Sequence, residues 1–504
     1  MAGEYGTAFE QLKERLATIS DLGSVRSLLF WDQQTYMPGG GVVGRAEQMA
    51  TLSWLSHEML VDDETERLLD ASGEPDPASE EGALIRRARR DYERATKLPA
   101  KLVAQISRVT AVAEPAWVRA REESDWSLFA PHLEEILSLK REAAEHLGYE
   151  DHPYDALLDA YEPGAKKAWL GAMFEELKAG VVPLIRAVAE RSRDGEDRGA
   201  PLKGAFDETV QEQFGRAVIS AFGYDWERGR QDRSVHPFCI SPGADDVRIT
   251  TRFEENWLAP ALFGTMHEAG HALYTQGVSP DYARTPLDGG TSMGVHESQS
   301  RLWENLVGRS RPFWSHYYPK LQKVFPEALG ELDPESFYRA INVLEPSEIR
   351  VEADEVTYNL HILLRFELEV ALIEGTLSVA DLPAAWNAKM EEYLGLTPKN
   401  DALGVLQDIH WADGLFGYFP TYAIGNVLSV QFFDEAVQTH PEIPEQMERG
   451  EFSILLNWLR ENVHRHGSRY YPDELIERAT GRPLDTVPYL SYLKNKFGEL
   501  YDLK

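Results

Sequence analysis

Residues 265–273 read TMHEAGHAL, so His267, Glu268 and His271 form the pattern H-E-x-x-H. Side chains four apart on an α-helix share a face, and both imidazoles then reach one ion at about 2.0–2.1 Å. Glu268 sits about 100° round the helix from His267, off the ligand face yet near enough to serve a bound water. Trp257, Leu258, Leu262 and Phe263 before the pattern, and Leu273 and Tyr274 after it, support a helix. With 14 histidines in the chain, chance produces only roughly 0.04 such pentads.

A catalytic zinc takes three protein ligands and keeps one position open. The version with a third histidine is excluded, because its glycine position holds Tyr274 and its histidine position Gly277. The other solution is a glutamate on a following helix. Glu297, in Val295-His296-Glu297-Ser298-Gln299-Ser300, opens a helical run through Trp303, Leu306 and Val307 and is the strongest candidate. Glu304 follows on the same face and reads as a solvated charge rather than a partner of the ligands.

Outward from this motif the chain reads mostly as helix. Leu133–Leu147, Ala165–Arg191, Asp207–Phe222 and Glu348–Glu374 carry apolar residues at helical spacing, and Gly148 stands where a C-terminal cap is expected. Ser72–Ser79 and Ser192–Pro201, rich in Pro, Gly, Ser and charge, read as loops or hinges. One stretch breaks the rhythm. VHPFCI and VRITTRF, either side of SPGADD, predict two short strands joined by a Pro-Gly turn over 234–253.

Composition limits the partners. The 504 residues carry 51 Lys plus Arg against 83 Asp plus Glu, a formal charge of −32. That sign is wrong for nucleic acid and for anionic membrane surfaces. A single cysteine, Cys239, excludes an intrachain disulfide and any cysteine-based metal cluster. The start has no apolar signal region and places Glu4, Glu10, Glu14 and Asp21 there instead. No stretch approaches 18 uninterrupted apolar residues. The expectation is a soluble cytoplasmic protein.

A divalent ion with a bound water, beside a carboxylate, describes metal-assisted hydrolysis. Glu268 then takes the water's proton and hands it to the leaving amine. The developing oxyanion needs a further donor. LQDIHWADGLFGYFPTY, residues 406–422, reads as a loop of aromatic donors lining a cleft, with His410 and Tyr422 as the donors and Tyr418 in reserve. A substrate's free C-terminus calls for a fixed arginine. Arg350 opens a long helix, but Asp354 four residues on makes a surface ion pair the simpler local reading. Spacing does not rank Arg350 above Arg248 or Arg252.

Six stretches in this order resemble the thermostable carboxypeptidase Taq family of metallocarboxypeptidases. They are His236-Pro237-Phe238, Asp246-x-Arg248-x-Thr250, the H-E-x-x-H at 267–271, His296-Glu297-Ser298-Gln299, Ile349-Arg350-x-x-Ala353-Asp354 and Gly404-x-x-Gln407-Asp408-x-His410-Trp411. The resemblance implies a mainly α, large helical metallopeptidase fold with a deep groove and a small β-hairpin near the zinc helix. It implies a single catalytic unit over 1–504, residues 1–120 or so forming one groove wall and about 200–504 the zinc-binding part. It implies a homodimer that removes C-terminal residues one at a time, with broad specificity and poor action on Pro. His267, His271 and Glu297 carry over as metal ligands and Glu268 as general base. His410 and Tyr422 carry over beside the oxyanion, and Arg350 as a contact of the substrate carboxylate. His236, Arg248 and Tyr418 complete the substrate-binding set, and the hairpin becomes the edge along which a peptide backbone lies. One zinc per chain is expected, and cobalt fits the same donors. The competing readings are an oligopeptidase that cuts internally and a peptide-binding protein with a structural metal.

Overall fold

Residues 7–191 and 198–503 are described by the computed structural model, which is mainly α with one three-stranded sheet. Most of the expected loop Ser192–Pro201, and Glu4 of the acidic start, lie outside the described residues. Among those residues no helix is long and apolar enough to cross a membrane. Two compact units are each assembled from separate stretches. One comprises residues 1–96, 198–341 and 429–484, the other 97–197, 342–428 and 485–504.

In the first unit, α1 spans Ala8–Thr35 and α2 spans Glu208–Phe222. The α2 helix begins where the sequence predicts, because the Asp207 carboxylate accepts the Val210 N–H at 3.0 Å and caps it. Strands β1 (Gly229–Arg233), β2 (Cys239–Gly243) and β3 (Asp246–Thr251) follow, in the order β1-β3-β2. The β2–β3 pair is the antiparallel hairpin expected, with two differences. Pro242 and Gly243 fall in or beside an irregularity between Ile240 and Gly243, and the turn sits at Ala244-Asp245. The parallel strand β1 was not foreseen, because GRQDR alternates no apolar residues. It is held by register pairs from Gly229↔Val247 to Arg233↔Thr251 and by the Tyr224 hydroxyl, which donates to the carbonyls of Val247 and Arg230.

Helix α3, Leu258–Gln276, carries the H-E-x-x-H and is buried over most of its circumference. Apolar residues all round a helix mark a core position. Val247 and Ile249 of β3 are fully buried, and Thr251 and Thr265 join strand to helix through their hydroxyls at 3.0 Å. Helix α4, Met293–Arg301, starts at a Ser292 cap and continues as a π-helical segment, Leu302–Val307. The two ligand-bearing helices touch at Gly270, where a Cβ would stand 2.5 Å from the Gln299 carbonyl oxygen and 2.7 Å from Ser300 Cα.

In the second unit the predicted helices appear as Ala130–Leu147, ending at Gly148, and Lys167–Ala189. The run expected over Glu348–Glu374 is interrupted. Residues Arg350–Glu352 make a short 3₁₀ turn, and α5 starts only at Tyr358 and runs to Glu374. The break has a local cause, since the Asp354 carboxylate accepts the N–H groups of Val356 and Thr357 at 2.9 and 3.0 Å. The last helix needed here, α6, spans Pro420–Thr439, and its residues to Leu428 count with this unit.

One face of α5 carries polar side chains at fourfold spacing, His361, Arg365 and Glu369, all without solvent exposure. Glu369 accepts hydrogen bonds from the Tyr154 hydroxyl at 2.7 Å, the Trp411 indole at 2.9 Å and the Gly417 N–H at 3.0 Å. It fastens residues 411–417, a stretch with no helical periodicity of its own. Gly417 has φ +89°, and a Cβ there would meet the Leu158 nitrogen at 2.8 Å. Burial pushes the Glu369 carboxyl up to about 7, against the three donors.

Two measurements follow. Gly270→Ala gains up to about 1 kcal/mol of helix propensity, but its methyl meets backbone that cannot rotate away, an overpacking cost of about 1–3 kcal/mol. Net destabilisation in denaturant unfolding is expected, and an unchanged midpoint would show that α3 and α4 separate easily. For Glu369 the folded-state pKa lies above the unfolded one, so the fold holds the proton more tightly and its stability falls as pH rises towards about 7. From pH 5 to 8 the wild type should lose about 2–3 kcal/mol relative to Glu369→Gln. Parallel melting curves would mean the carboxylate stays ionised throughout.

Candidate metal centre and active site

His267 and His271 project from one face of α3, and Glu297 faces them from α4. The three offer ligand atoms that lie within 4.8 Å of one another. Glu297 Oε2 stands 3.7 Å from His267 Nε2 and 3.4 Å from His271 Nε2. The other nitrogen of each ring is committed. His267 Nδ1 is 2.8 Å from Glu304 Oε2, and His271 Nδ1 is 3.0 Å from the His296 carbonyl oxygen. Those oxygens only accept, which assigns the proton of each ring to Nδ1 and leaves both Nε2 lone pairs available; His296 Nδ1, 2.7 Å from His271 Nδ1, then stands as a second acceptor of that N–H. Two lone pairs and a carboxylate oxygen converging without a hydrogen between them fit a cation. The surroundings agree: burial opposes charge on His267, but Glu297 and Glu304 outweigh it and raise the basicity of the ring.

Glu304 is not the solvated charge that the local sequence suggests. It is largely buried, bonds His267, and pairs with Arg301 at 3.2 Å and Arg309 at 3.6 Å. Burial alone would raise its carboxyl; Arg301 and His267 bring it down to about 2. Glu297 is likewise held well below the usual carboxylate range by Arg301 and the two histidines, against the effect of burial. A carboxylate behind a ligating histidine fixes its tautomer and strengthens it as a donor.

Glu268 differs from its neighbours. Its side chain is buried, with the residue 7% exposed, and its carboxylate accepts no hydrogen bond from the described residues. Burial raises its carboxyl while His267 and His271 oppose the rise. A partly desolvated carboxylate without a partner is ready to accept a proton. His236 is exposed, in the link before β2. The Arg248 fork is taken by Asp246, at 2.7 and 2.6 Å, and lies 4.3 Å over the Trp31 ring of α1.

The second unit gathers the remaining candidates. Arg350 does not pair with Asp354. It is 5% exposed and donates Nε and Nη2 to Asp408 Oδ1 at 3.1 and 2.7 Å, and Nη1 to the Tyr358 hydroxyl at 2.7 Å. Arg365 of α5 takes the other oxygen, Nε to Asp408 Oδ2 at 2.7 Å. Two guanidiniums share one carboxylate, which they hold far below its ordinary range although burial would raise it. The Arg350–Asp408–Arg365 triad therefore carries one net positive charge in a buried place. His410 Nε2 is 3.2 Å from the Tyr422 hydroxyl, and burial brings its ring down to about 3, leaving it neutral. Tyr418 packs edge-on against Tyr422 with ring centres 5.4 Å apart, and its ring lies at the same distance from His410. Residues 406–419 form turns, as expected of a loop, but Tyr422 belongs to the first turn of α6.

Arg301, Arg309, Arg365 and Glu369 escaped the sequence reading. A signal existed for the last two: polar residues at 361, 365 and 369 form a stripe at fourfold spacing on a mostly apolar helix. Nothing local marks Arg301 and Arg309, whose meaning depends on Glu304 being buried.

The comparisons with known proteins agree with the geometry. Residues 11–497 match the family model described as carboxypeptidase Taq (M32) metallopeptidase. Thermostable carboxypeptidase 1 of Thermus thermophilus is 43% identical over 98% of this chain and 99% of its own length. Carboxypeptidase 1 of Bacillus subtilis is 40% identical over 99% of each chain. The crystal structure of the M32 carboxypeptidase from Deinococcus radiodurans R1 superposes with a TM-score of 0.95 at 44% identity, covering 99% of this chain and all of that one. With a site that fits a divalent ion and relatives matched from end to end, the chain belongs to the carboxypeptidase Taq (M32) metallopeptidases.

Proposed function

We propose that this metallocarboxypeptidase hydrolyses the last peptide bond of substrates with a free C-terminus, using one zinc held by His267, His271 and Glu297. The observation that carries the assignment is the contrast at the site: three converging donor atoms whose far sides are tied down, and beside them Glu268 with no hydrogen-bond partner among the described residues. The ion supplies a Lewis acid and a water of lowered pKa. Glu268 accepts that water's proton and delivers it to the departing amine. His410 and Tyr422 donate to the oxyanion, a role open to a neutral imidazole and a phenol. His₂Glu donors accept cobalt as well as zinc.

Arg350 is assigned to the substrate carboxylate, supported by charge. Its triad holds one positive charge that no carboxylate within the triad answers, and two of its five N–H groups remain after Asp408 and Tyr358. Arg248 is the poorer choice because Asp246 occupies its fork. His236, Arg248 and Tyr418 are assigned to the peptide chain, with β2, at the edge of the sheet, as the strand a backbone extends. Family likeness supports stepwise release with broad specificity, poor action on Pro, a homodimer and a cytoplasmic location.

One peptide digest, offered with free C-termini and as C-terminal amides, tests this by mass spectrometry. A ladder shortened stepwise from the free end, absent for the amides and abolished by a chelator, is expected. Internal cuts in both forms would make the protein an oligopeptidase. Glu268→Gln should keep its metal and lose about 10²–10⁴ in rate; near wild-type kcat would remove Glu268 from its role. Arg350→Met should lower kcat/KM for free termini about 10–100-fold, the worth of a charge-assisted pair, and erase the preference over amides.

A further inference from the structure

Glu297 has two carboxylate oxygens, and the fold treats them differently. Oε2 faces the two Nε2 atoms and accepts the Ser300 hydroxyl at 3.0 Å. Oε1 accepts Arg301 Nε at 2.7 Å, in an ion pair whose side chains are 14% and 8% exposed. Arg301 then reaches on, Nη1 to Glu304 Oε2 at 3.2 Å, the same oxygen that receives the His267 Nδ1 proton. One guanidinium thus spans the carboxylate that faces the ion site and the carboxylate behind a ligand. Arg309 steadies Glu304 from its other oxygen at 3.6 Å and lies 3.8 Å over the Phe263 ring.

We infer that Arg301 sets the coordination mode of the metal: by occupying Oε1 it confines Glu297 to ligation through Oε2 alone. The inference rests on the ligand assignment above and goes beyond it. A glutamate free at both oxygens can chelate, and the second oxygen then competes for the position that a catalytic site keeps open for water. The charged Nε–H on Oε1 also draws charge from the Glu297 carboxylate, making it a weaker donor than an unbound glutamate. Arg301 acts through one assigned ligand, Glu297, and through Glu304 behind another, so it is a positioning residue.

The test uses the full-length protein loaded with cobalt, comparing wild type, Arg301→Met, Arg301→Lys and Glu297→Ala. Visible absorption reports coordination number, and chelator competition reports affinity. Arg301→Met should retain cobalt, with affinity changed by no more than about 10–100-fold, and its visible absorption should weaken as Glu297 adds a second oxygen and the four-coordinate geometry is lost. Arg301→Lys, which keeps charge but offers one point instead of a fork, should fall between. A wild-type spectrum in both Arg301 variants would overturn the inference and leave the ligands standing. Full metal and a wild-type spectrum in Glu297→Ala would overturn the ligand assignment itself. Should Arg301→Met fail to melt cooperatively, Arg301→Lys and the wild type decide. In wild type the infrared splitting between the two stretches of the ligating carboxylate must be wide, as for one-oxygen binding, and a narrow splitting overturns the inference.

Discussion

Three atoms with lone pairs, His267 Nε2, His271 Nε2 and Glu297 Oε2, are held within 4.8 Å with no proton between them. Such a group repels itself, and it keeps its shape only because every ligand is anchored at its other polar atom. Glu304, the His296 carbonyl and Arg301 supply those anchors. The anchors in turn need the helices that carry them to be close and stiff. Gly270 allows α3 and α4 to meet backbone to backbone, and the Thr251–Thr265 bond ties α3 to the sheet. The three donor atoms are thereby preset on and against a helix buried over most of its circumference, where a shift of any neighbour meets close-packed side chains.

The second unit solves a different problem. Residues 406–419 have no regular apolar periodicity; buried Leu406, Trp411, Phe416 and Phe419 dock them, and polar bonds to α5 fix their orientation. Glu369 holds the Trp411 indole and the Gly417 amide, and Arg365 holds Asp408. Burying these groups is costly unless each is paired. Sharing Asp408 between Arg350 and Arg365 pairs both cations and still leaves a net positive charge. That residual charge is what the proposed contact with a substrate carboxylate draws on.

How much of this was legible in the sequence depended on range. The pairing of His267 and His271 on one helix face, the helix beginning at Asp207, the cap at Gly148 and the hairpin are local, and spacing reveals them. The errors were also local readings. Glu304 looks solvated and Arg350 looks paired with Asp354, because a helix surface makes both natural. Their real partners, His267 and Asp408, come from distant stretches that only packing brings near. Strand β1 failed for the opposite reason: GRQDR earns its place by backbone pairing to β3 and a tyrosine hydroxyl, with no apolar pattern to announce it.

Against this density of tied groups, the isolation of Glu268 acquires meaning. Its neighbours His267, His271, Glu297 and Glu304 each have a committed partner, and a carboxylate so committed is held down in pKa and cannot readily take a proton. Glu268 lies one residue from a ligand, desolvated and unbonded, and its carboxyl moves up instead. The two packed helical segments therefore divide the carboxylates: Glu297 and Glu304, on α4 and its π-helical continuation, are paired with Arg301, while Glu268 on α3 has no hydrogen bond among the described residues. A desolvated carboxylate one residue along the helix from His267 is the arrangement that the proposed proton transfer requires.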